Sequence, residues 1–540
     1  MRACVVMTGK QYVVSKLSKT LESLNAHGFE HVSFVRDVEN DDVWLFQGET
    51  VVQRNDHGET IVCYDNIKIQ VDRGMQGTTI LAGKNTPKNA TILSLQSDKE
   101  QVLKEFVEQY PEMLESNLKM GQWYMQQHNY KESFHYFEKA RRYRGNINKK
   151  IGWVEDCHTY LLDFEASLCA YYANEHILGR FYTDRLLMNP NISAQLLMRV
   201  YQNYEHYVQP LEVLWSKEYV VADMEKEEEK NDKDIVEGIS TYKSLNPSLV
   251  RRDASSFYMT IRIVNWTLNP IGFNQYFSPH PKNKFKTKNL LAVIDLEGQY
   301  IQRPRLITKG ETLDLKKIRG HHIDGFEDCR LFAVDKENKN VLRFITNYTK
   351  NNPKGASRLS IGTINIQNPD TPQYTTLIPI IGHNDHLTQK NWLIYKTSGN
   401  TAWAVYHYHP FTIIQIDLTT GQAVPISEIK LPIRSSEFRG SGGPVPFLDG
   451  FLVVVHQVYF KDHKGRRYLH RFIKLDTEYV PMGISEAWYL QSKDIEYVST
   501  MVALEDVVLL GYGLCDKCAC ISAVSKRVIS KMIRPIEDYL

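Results

Sequence analysis

The chain has 540 residues, 42% of them hydrophobic, with 65 Lys and Arg against 63 Asp and Glu. That length exceeds one compact core and predicts roughly two to four domains, and the near-neutral balance gives no basis for a nucleic-acid partner. No apolar stretch reaches membrane-spanning length, and the opening MRACVVMTGK lacks the apolar core of a signal peptide. Eight unevenly scattered cysteines read as reduced thiols of a cytoplasmic protein rather than a disulfide framework.

Three regions follow by periodicity. Residues 1–98 are mixed: ACVVMTG reads as a buried strand, VSKLSKTLESLNAHG as an amphipathic helix ending at Gly28, and HVSFVRD as a strand. This is expected to be a small α/β domain. The acidic residues Asp37, Glu39, Asp41 and Asp42 lack a metal-binding Asp-x-Asp context. Residues 99–222 are helical. NLKMGQWYMQQHNYKESFHYFEKARRY places Met120, Gly121, Tyr124, Tyr130, Phe134, Phe137 and Ala140 at the small and bulky positions of a tetratricopeptide hairpin. Two less regular helical stretches follow, the last being AQLLMRVYQNYEHYV before Pro210. Such helices pack as scaffolds and could hold a protein partner. The run DMEKEEEKNDKD lies in a charged linker over 223–240.

From 241 to 540 the period becomes that of β-structure. Short apolar runs such as SSFYMTIRIVNW, NLLAVIDLEG, FTIIQIDLTTG, GFLVVVHQVYF and DVVLLGYGL recur between Gly, Pro, Asn and Asp. About a dozen short strands without an intervening helix argue for a sandwich, barrel or propeller, and four-stranded propeller blades fit best. The fold class expected is therefore multidomain α+β with a C-terminal β-propeller of four-stranded blades.

Within this region GHHIDGFEDCRLFAV, residues 320–334, crowds charge at the mouth of a strand. Adjacent Glu327 and Asp328 should face opposite sides of that strand, and Arg330 should share the face of Asp328. The group reads either as a salt-bridged strand end or as a carboxylate held for proton transfer. Other polar residues interrupt apolar strands, where they need partners or a use: Arg262, Asn265, His456, Tyr468 and His470, with Asp516 after VVLLGYG. A central funnel would gather them. The turn RGSGGPVPF does not fit a phosphate loop. CDKCAC lacks a second matching pair, and His321, His322 and Asp324 diverge on a strand, so neither metal nor cofactor is expected.

Five segments, from about Asn246 to Val528, resemble in register the five-bladed propeller enzymes of glycoside hydrolase family 130. They also resemble the related β-1,2-mannosyltransferases of glycosyltransferase family 108. They are NPSLVRRDASSFYMTIRIVNW, GFEDCRLFAV, QKNWLIYKTSGNTAWAVYHYHP, GSGGPVPFLDGFLVVVHQV with RYLHRFIKLD, and IEYVSTMVALEDVVLLGYGLCD. The resemblance implies that Asp328 is the single catalytic acid/base, passing its proton through a hydroxyl of the bound sugar, with inversion. It implies that Arg330 orients the carboxylate or the sugar. It further implies that Arg262, Asn265 and Asp516 bind the sugar, that Lys390 and Asn391 belong to the substrate site, and that His456 and Tyr468 match phosphate-binding positions. Two departures stand out: Cys329 replaces the motif's proline, and His409 stands before Pro410 where a phosphate-binding Arg is expected. The lost guanidinium tips the expectation toward sugar transfer, from a nucleotide-sugar or sugar-phosphate donor to a glycan acceptor, although Arg358 or Lys390 could compensate. A β-mannoside phosphorylase or hydrolase on the same site is the second reading. A non-catalytic scaffold binding glycans or proteins is the third. The N-terminal portion is similar to a shortened glycosyltransferase family two domain followed by its tetratricopeptide segment.

Overall fold

The computed structural model describes the strand backbones between residues 32 and 82, and then residues 95–145, 156–219, 221, 242–268, 276–277, 285–311, 313, 323–348, 358–382, 389–460 and 466–539. The expected first strand and helix, the acidic cluster at 37–42, His321, His322 and the charged run at 223–234 lie outside them. The chain divides into two compact units, Met1–Tyr182 and Thr183–Leu540.

In the first unit the expected strand is present as Val32–Arg36, paired antiparallel with Val43–Gln47. Thr50–Arg54, Thr60–Tyr64, Ile67–Val71 and Ile80–Ala82 form an antiparallel four-stranded sheet. Helices follow at Leu95–Gln109, Leu114–Gln126, Tyr130–Arg141 and Leu162–Tyr172. Leu114, Leu118 and Gly121 recur at helical spacing on one buried face, against Phe134, Phe137 and Ala140 of the next helix. Gly121 is required there, because a Cβ on it would stand 2.6 Å from the Phe137 ring.

The second unit is mostly β, with a propeller-like arrangement. Five sheets follow one another, each with four antiparallel strands at its centre, and short additional strands extend three of them. Blade I is Lys243–Arg251, Ser256–Val264, Phe285–Asp295 and Tyr300–Leu306. Blade II is Glu327–Val334, Val341–Asn347, Leu359–Asn365 and Gln373–Pro379. Blade III is Leu393–Ser398, Thr401–Tyr408, Phe411–Asp417 and Ala423–Ile429. Blade IV is Arg439–Phe447, Gly450–Phe460, Arg466–Leu475 and Pro481–Ser485. Blade V takes Glu496–Ala503, Val507–Leu514 and Cys518–Ser525 from the end of the chain. Its fourth strand, Trp215–Tyr219, comes from before blade I. The expected propeller start at residue 241 thus omits a strand of the ring.

The first strand of each blade lies against the first strands of its neighbours, and blade V returns to blade I, so the five inner strands close a ring. The middle strands are buried on both faces, which explains continuous apolar runs such as LVVV and VVLL, whereas outer strands such as Ala423–Ile429 are largely exposed. The apolar cores lie between blades. Leu291, Phe326, Cys329, Leu331 and Phe344 pack where blades I and II meet, and Leu452, Phe472, Trp488, Val498 and Leu510 where blades IV and V meet. A helix precedes the ring, Ala194–Tyr204, capped by the Ser193 hydroxyl accepting from Leu196 N at 3.2 Å. Asp184 nearby forms a fully buried bidentate pair with Arg471 of blade IV, at 2.6 and 2.8 Å.

Candidate active site

The inner strands are not regular. Blade I shifts register between Thr260 and Arg262, opposite Asn246 and Pro247, and blade II shifts between Glu327 and Arg330. Asn246 (φ 45°) and Asp328 (φ 48°) occupy these two bulges in the left-handed region. Non-glycine residues there are costly, and such positions concentrate where side chains must be re-aimed. Here the two side chains meet: Asn246 Nδ2 donates to Asp328 Oδ1 at 2.9 Å.

Arg262, from the second strand of blade I, reaches the same carboxylate. Its Nη1 donates to Asp328 Oδ1 at 2.8 Å, its Nε donates to Thr287 Oγ1 at 2.9 Å, and its guanidinium lies over Trp266. Glu327 does not face away from this group, as strict alternation predicts. Glu327 Oε1 stands 3.6 Å from Arg262 Nη2, because the extra residue of the bulge interrupts the period of two. The ion-paired cluster of the first reading is thus present, and Asp328 is held within it by Arg262 and Asn246.

Burial would raise the Asp328 carboxyl, but Arg262, then Arg330, the Asn246 hydrogen bond and Lys390 outweigh it and hold it below the usual carboxylate range. Cys329, one residue on, turns away from this group into the core between blades I and II, where burial pushes its thiol up and Tyr374 lies against it. Its carbonyl accepts from Thr260 Oγ1 at 2.8 Å. The proline of the resembling motif is replaced by a buried apolar-type side chain, with no role in the pocket.

A cavity between blades II and III is lined by Asp328, Arg330, Lys390 and Asn391, with Ile345, Leu359 and Trp392 as its apolar part. Arg330 is fixed by the Ser441 carbonyl (3.2 Å), by Asn391 Oδ1 (3.4 Å) and by the face of Tyr497 (5.4 Å to the ring centre). Tyr497 also donates to Asn391 Oδ1 at 2.9 Å. The buried Tyr408 hydroxyl, without a hydrogen-bond partner, interacts electrostatically with Arg330.

His456 continues the group. Its Nδ1 is 2.8 Å from Ser441 Oγ, its ring stacks on Tyr468 and it meets Tyr497 edge-on. Burial first, then His470, Arg439 and Arg330, push its pKa well down, so the imidazole is neutral. Asp516 lies in a turn of blade V at φ 52° and interacts electrostatically with both Arg262 and Tyr468.

Of the expected residues, Asp328 with Arg262, Arg330 with Asn391, and His456 with Tyr468 are joined by contacts, Lys390 lines the same cavity as Asp328, and Asp516 reaches the group by electrostatic interaction. Asn265 is engaged elsewhere: its Oδ1 accepts from Lys286 N at 2.6 Å, closing the end of a strand pair. His409 is exposed and hydrogen bonds with Ser435. Sequence reasoning missed Asn246, Ser441, Tyr408 and Tyr497 as members of the cluster and placed Glu327 on the opposite face. Asn246 carries a faint signal, an Asn before Pro inside a strand; the others are ordinary strand residues until the blades converge.

No family model and no curated protein matches the chain. Among solved structures, it is similar to a β-1,2-mannobiose phosphorylase from Listeria innocua, at 12% identity over 59% of this chain and 98% of that one, TM-score 0.38. It is also similar to a glycosyl hydrolase from Bacteroides ovatus, at 12% identity over 55% and 86%, TM-score 0.38. A family 117 glycoside hydrolase from Zobellia galactanivorans is similar at 12% identity over 54% and 87%, TM-score 0.31. Likenesses this distant carry nothing about substrate or reaction. Among the described residues no helix is long and apolar enough to cross a membrane.

Proposed function

We propose that the propeller carries the active site of a glycan-acting enzyme that exchanges a glycosidic bond for a sugar-phosphate bond, reversibly and with inversion, using Asp328 as its one acid/base. The observation that carries this reading is the pairing of one carboxylate with cations in a single cavity: Asp328 beside Arg330 and Lys390. A phosphate or sugar-phosphate needs such cations, whereas a hydrolytic water does not. Lys390 stands in the cavity that the exposed His409 does not line, which offsets the lost guanidinium before Pro410. Glu327, the neighbouring carboxylate, is held by Arg262 and Asn347 rather than free to activate water as a second carboxylate would. The resemblance of the motif-bearing segments supports a mannose-like sugar.

In the cleavage direction a phosphate oxygen forms a bond to the anomeric carbon as the glycosidic C–O bond breaks. The proton of the Asp328 carboxyl ends on the leaving oxygen, relayed through a sugar hydroxyl as in the family that the motifs resemble. In the synthetic direction the acceptor hydroxyl attacks, its proton passes to the Asp328 carboxylate and phosphate departs. The lowered Asp328 pKa favours the carboxylate, the form that synthesis needs. Transfer from a nucleotide sugar by the same carboxylate is the second reading, because Arg330 and Lys390 serve a diphosphate as well.

The test is incubation of the purified protein with β-1,2-manno-oligosaccharides and phosphate, with mannose 1-phosphate and mannose acceptors, and with GDP-mannose. Phosphate-dependent formation of mannose 1-phosphate is expected. Activity with GDP-mannose alone moves the assignment to the second reading, and inertness in all three with retained glycan binding leaves a binding scaffold.

A further inference from the structure

Glu327 is the carboxylate that this scheme leaves unused. It is 9% exposed and engaged on both oxygens: Oε1 stands 3.6 Å from Arg262 Nη2 and Oε2 accepts from Asn347 Nδ2 at 3.1 Å. Arg262 Nη1 meanwhile holds Asp328 at 2.8 Å. One guanidinium thus serves two consecutive carboxylates, an arrangement that a regular strand forbids and that the bulge between Glu327 and Arg330 creates.

We propose that Glu327 is a positioning residue that acts through Arg262: by sharing the guanidinium it limits how far Arg262 neutralises Asp328, and so keeps the Asp328 carboxyl able to take up and return a proton. The inference rests on reading Asp328 as the acid/base. A lone Arg facing a lone carboxylate forms a closed pair that favours the ionised form, and a second negative charge on the same guanidinium opposes this. The other groups acting on Asp328 are mostly cationic or donors: Asn246 from blade I, Arg330 on its own strand and Lys390 before blade III. The thiol of Cys329 faces the core, and Asp516 acts on Arg262 from blade V. Without Glu327 the balance around Asp328 shifts by one unit toward positive charge. Its proton affinity then falls.

The experiment compares pH–rate profiles of wild type, Glu327→Gln and Glu327→Asp for phosphorolysis and for synthesis, with melting curves for each. In Glu327→Gln the limb governed by Asp328 should move to lower pH by about one unit, so that phosphorolysis above that limb falls about tenfold, because an added or removed neighbouring charge moves a carboxyl by this order. Synthesis at the same pH should fall much less. Glu327→Asp keeps the charge at a longer distance and should shift the limb less, in the same sense; it serves alone if the Gln variant does not fold. A loss of rate by one factor at every pH, or an unmoved limb, overturns the proposal. If wild type shows neither reaction, the functional reading fails separately. The titration of Asp328 is then followed by carboxyl carbon-13 NMR, its signal assigned by absence in Asp328→Asn. A lower midpoint in Glu327→Gln supports the proposal, and an unchanged midpoint overturns it.

Discussion

Asp328 and Arg262 illustrate how a side chain acquires chemistry from its neighbours. A buried Arg paired to two acids is stable only while the pairing is intact, because each partner alone would be a charge without water. Arg262→Leu should therefore lower stability by about 3–5 kcal/mol, read by denaturant unfolding, since it leaves the buried Glu327 without its cation and removes the largest of the cationic partners of Asp328. Asp328→Asn should keep the fold, by circular dichroism, and reduce turnover by about 10²–10⁴-fold, the range for loss of a general acid or base. The sign of the pH effect follows from the lowered Asp328 pKa. Stabilisation from the ionised carboxylate is present above the ordinary Asp value of about 3.9 and is lost as pH falls through the lower folded value. Melting temperatures of wild type and Asp328→Asn measured against pH should accordingly change to the disadvantage of wild type in acid. Arg262 stood out in the sequence because a charge inside an apolar strand demands a use, and Asp328 because it lies in a charged stretch at the mouth of a strand that resembles a family motif. Glu327 was misplaced because alternation holds only for regular strands, and no residue near it announces the bulge. Asn265 interrupts its strand as Arg262 does, and its Oδ1 accepts from Lys286 N at a strand end.

The bulged inner strands are the elements that make the site. Asn246 and Asp328 both adopt positive φ with non-glycine side chains, and the mutual hydrogen bond is what the strain secures. Gly513 of blade V supports this from behind: a Cβ there would fall 2.1 Å from Asn246 Oδ1. Gly513→Ala should push the Asn246 amide off Asp328. Misplacement of this order costs up to about 10²-fold in kcat/KM, checked by steady-state kinetics beside a melting curve showing a smaller loss of stability. The motif carrying Gly513, GYG, reads as strand punctuation, and its function appears only when blade V is seen against blade I. The middle strands were readable at once, since a strand buried on both faces must be continuously apolar.

At the scale of the molecule, the ring is closed by a strand that precedes it. Trp215–Tyr219 completes blade V, and Asp184 neutralises Arg471 inside blade IV. Both lie before the charged run that composition marks as a border, which explains why a sequence boundary at 241 cuts the ring. A chain beginning at 241 leaves the edge of Cys518–Ser525 unpaired and Arg471 buried without its carboxylate. It should lack a cooperative thermal transition in calorimetry, whereas a chain beginning at His176 should retain one. The reaction proposed inside this ring is checked by phosphorus-31 NMR of a mixture of phosphate and β-1,2-mannobiose. Wild type should convert inorganic phosphate to a sugar 1-phosphate signal, and Asp328→Asn should not. Release of free mannose with the phosphate signal unchanged, or equal conversion by the variant, would contradict it.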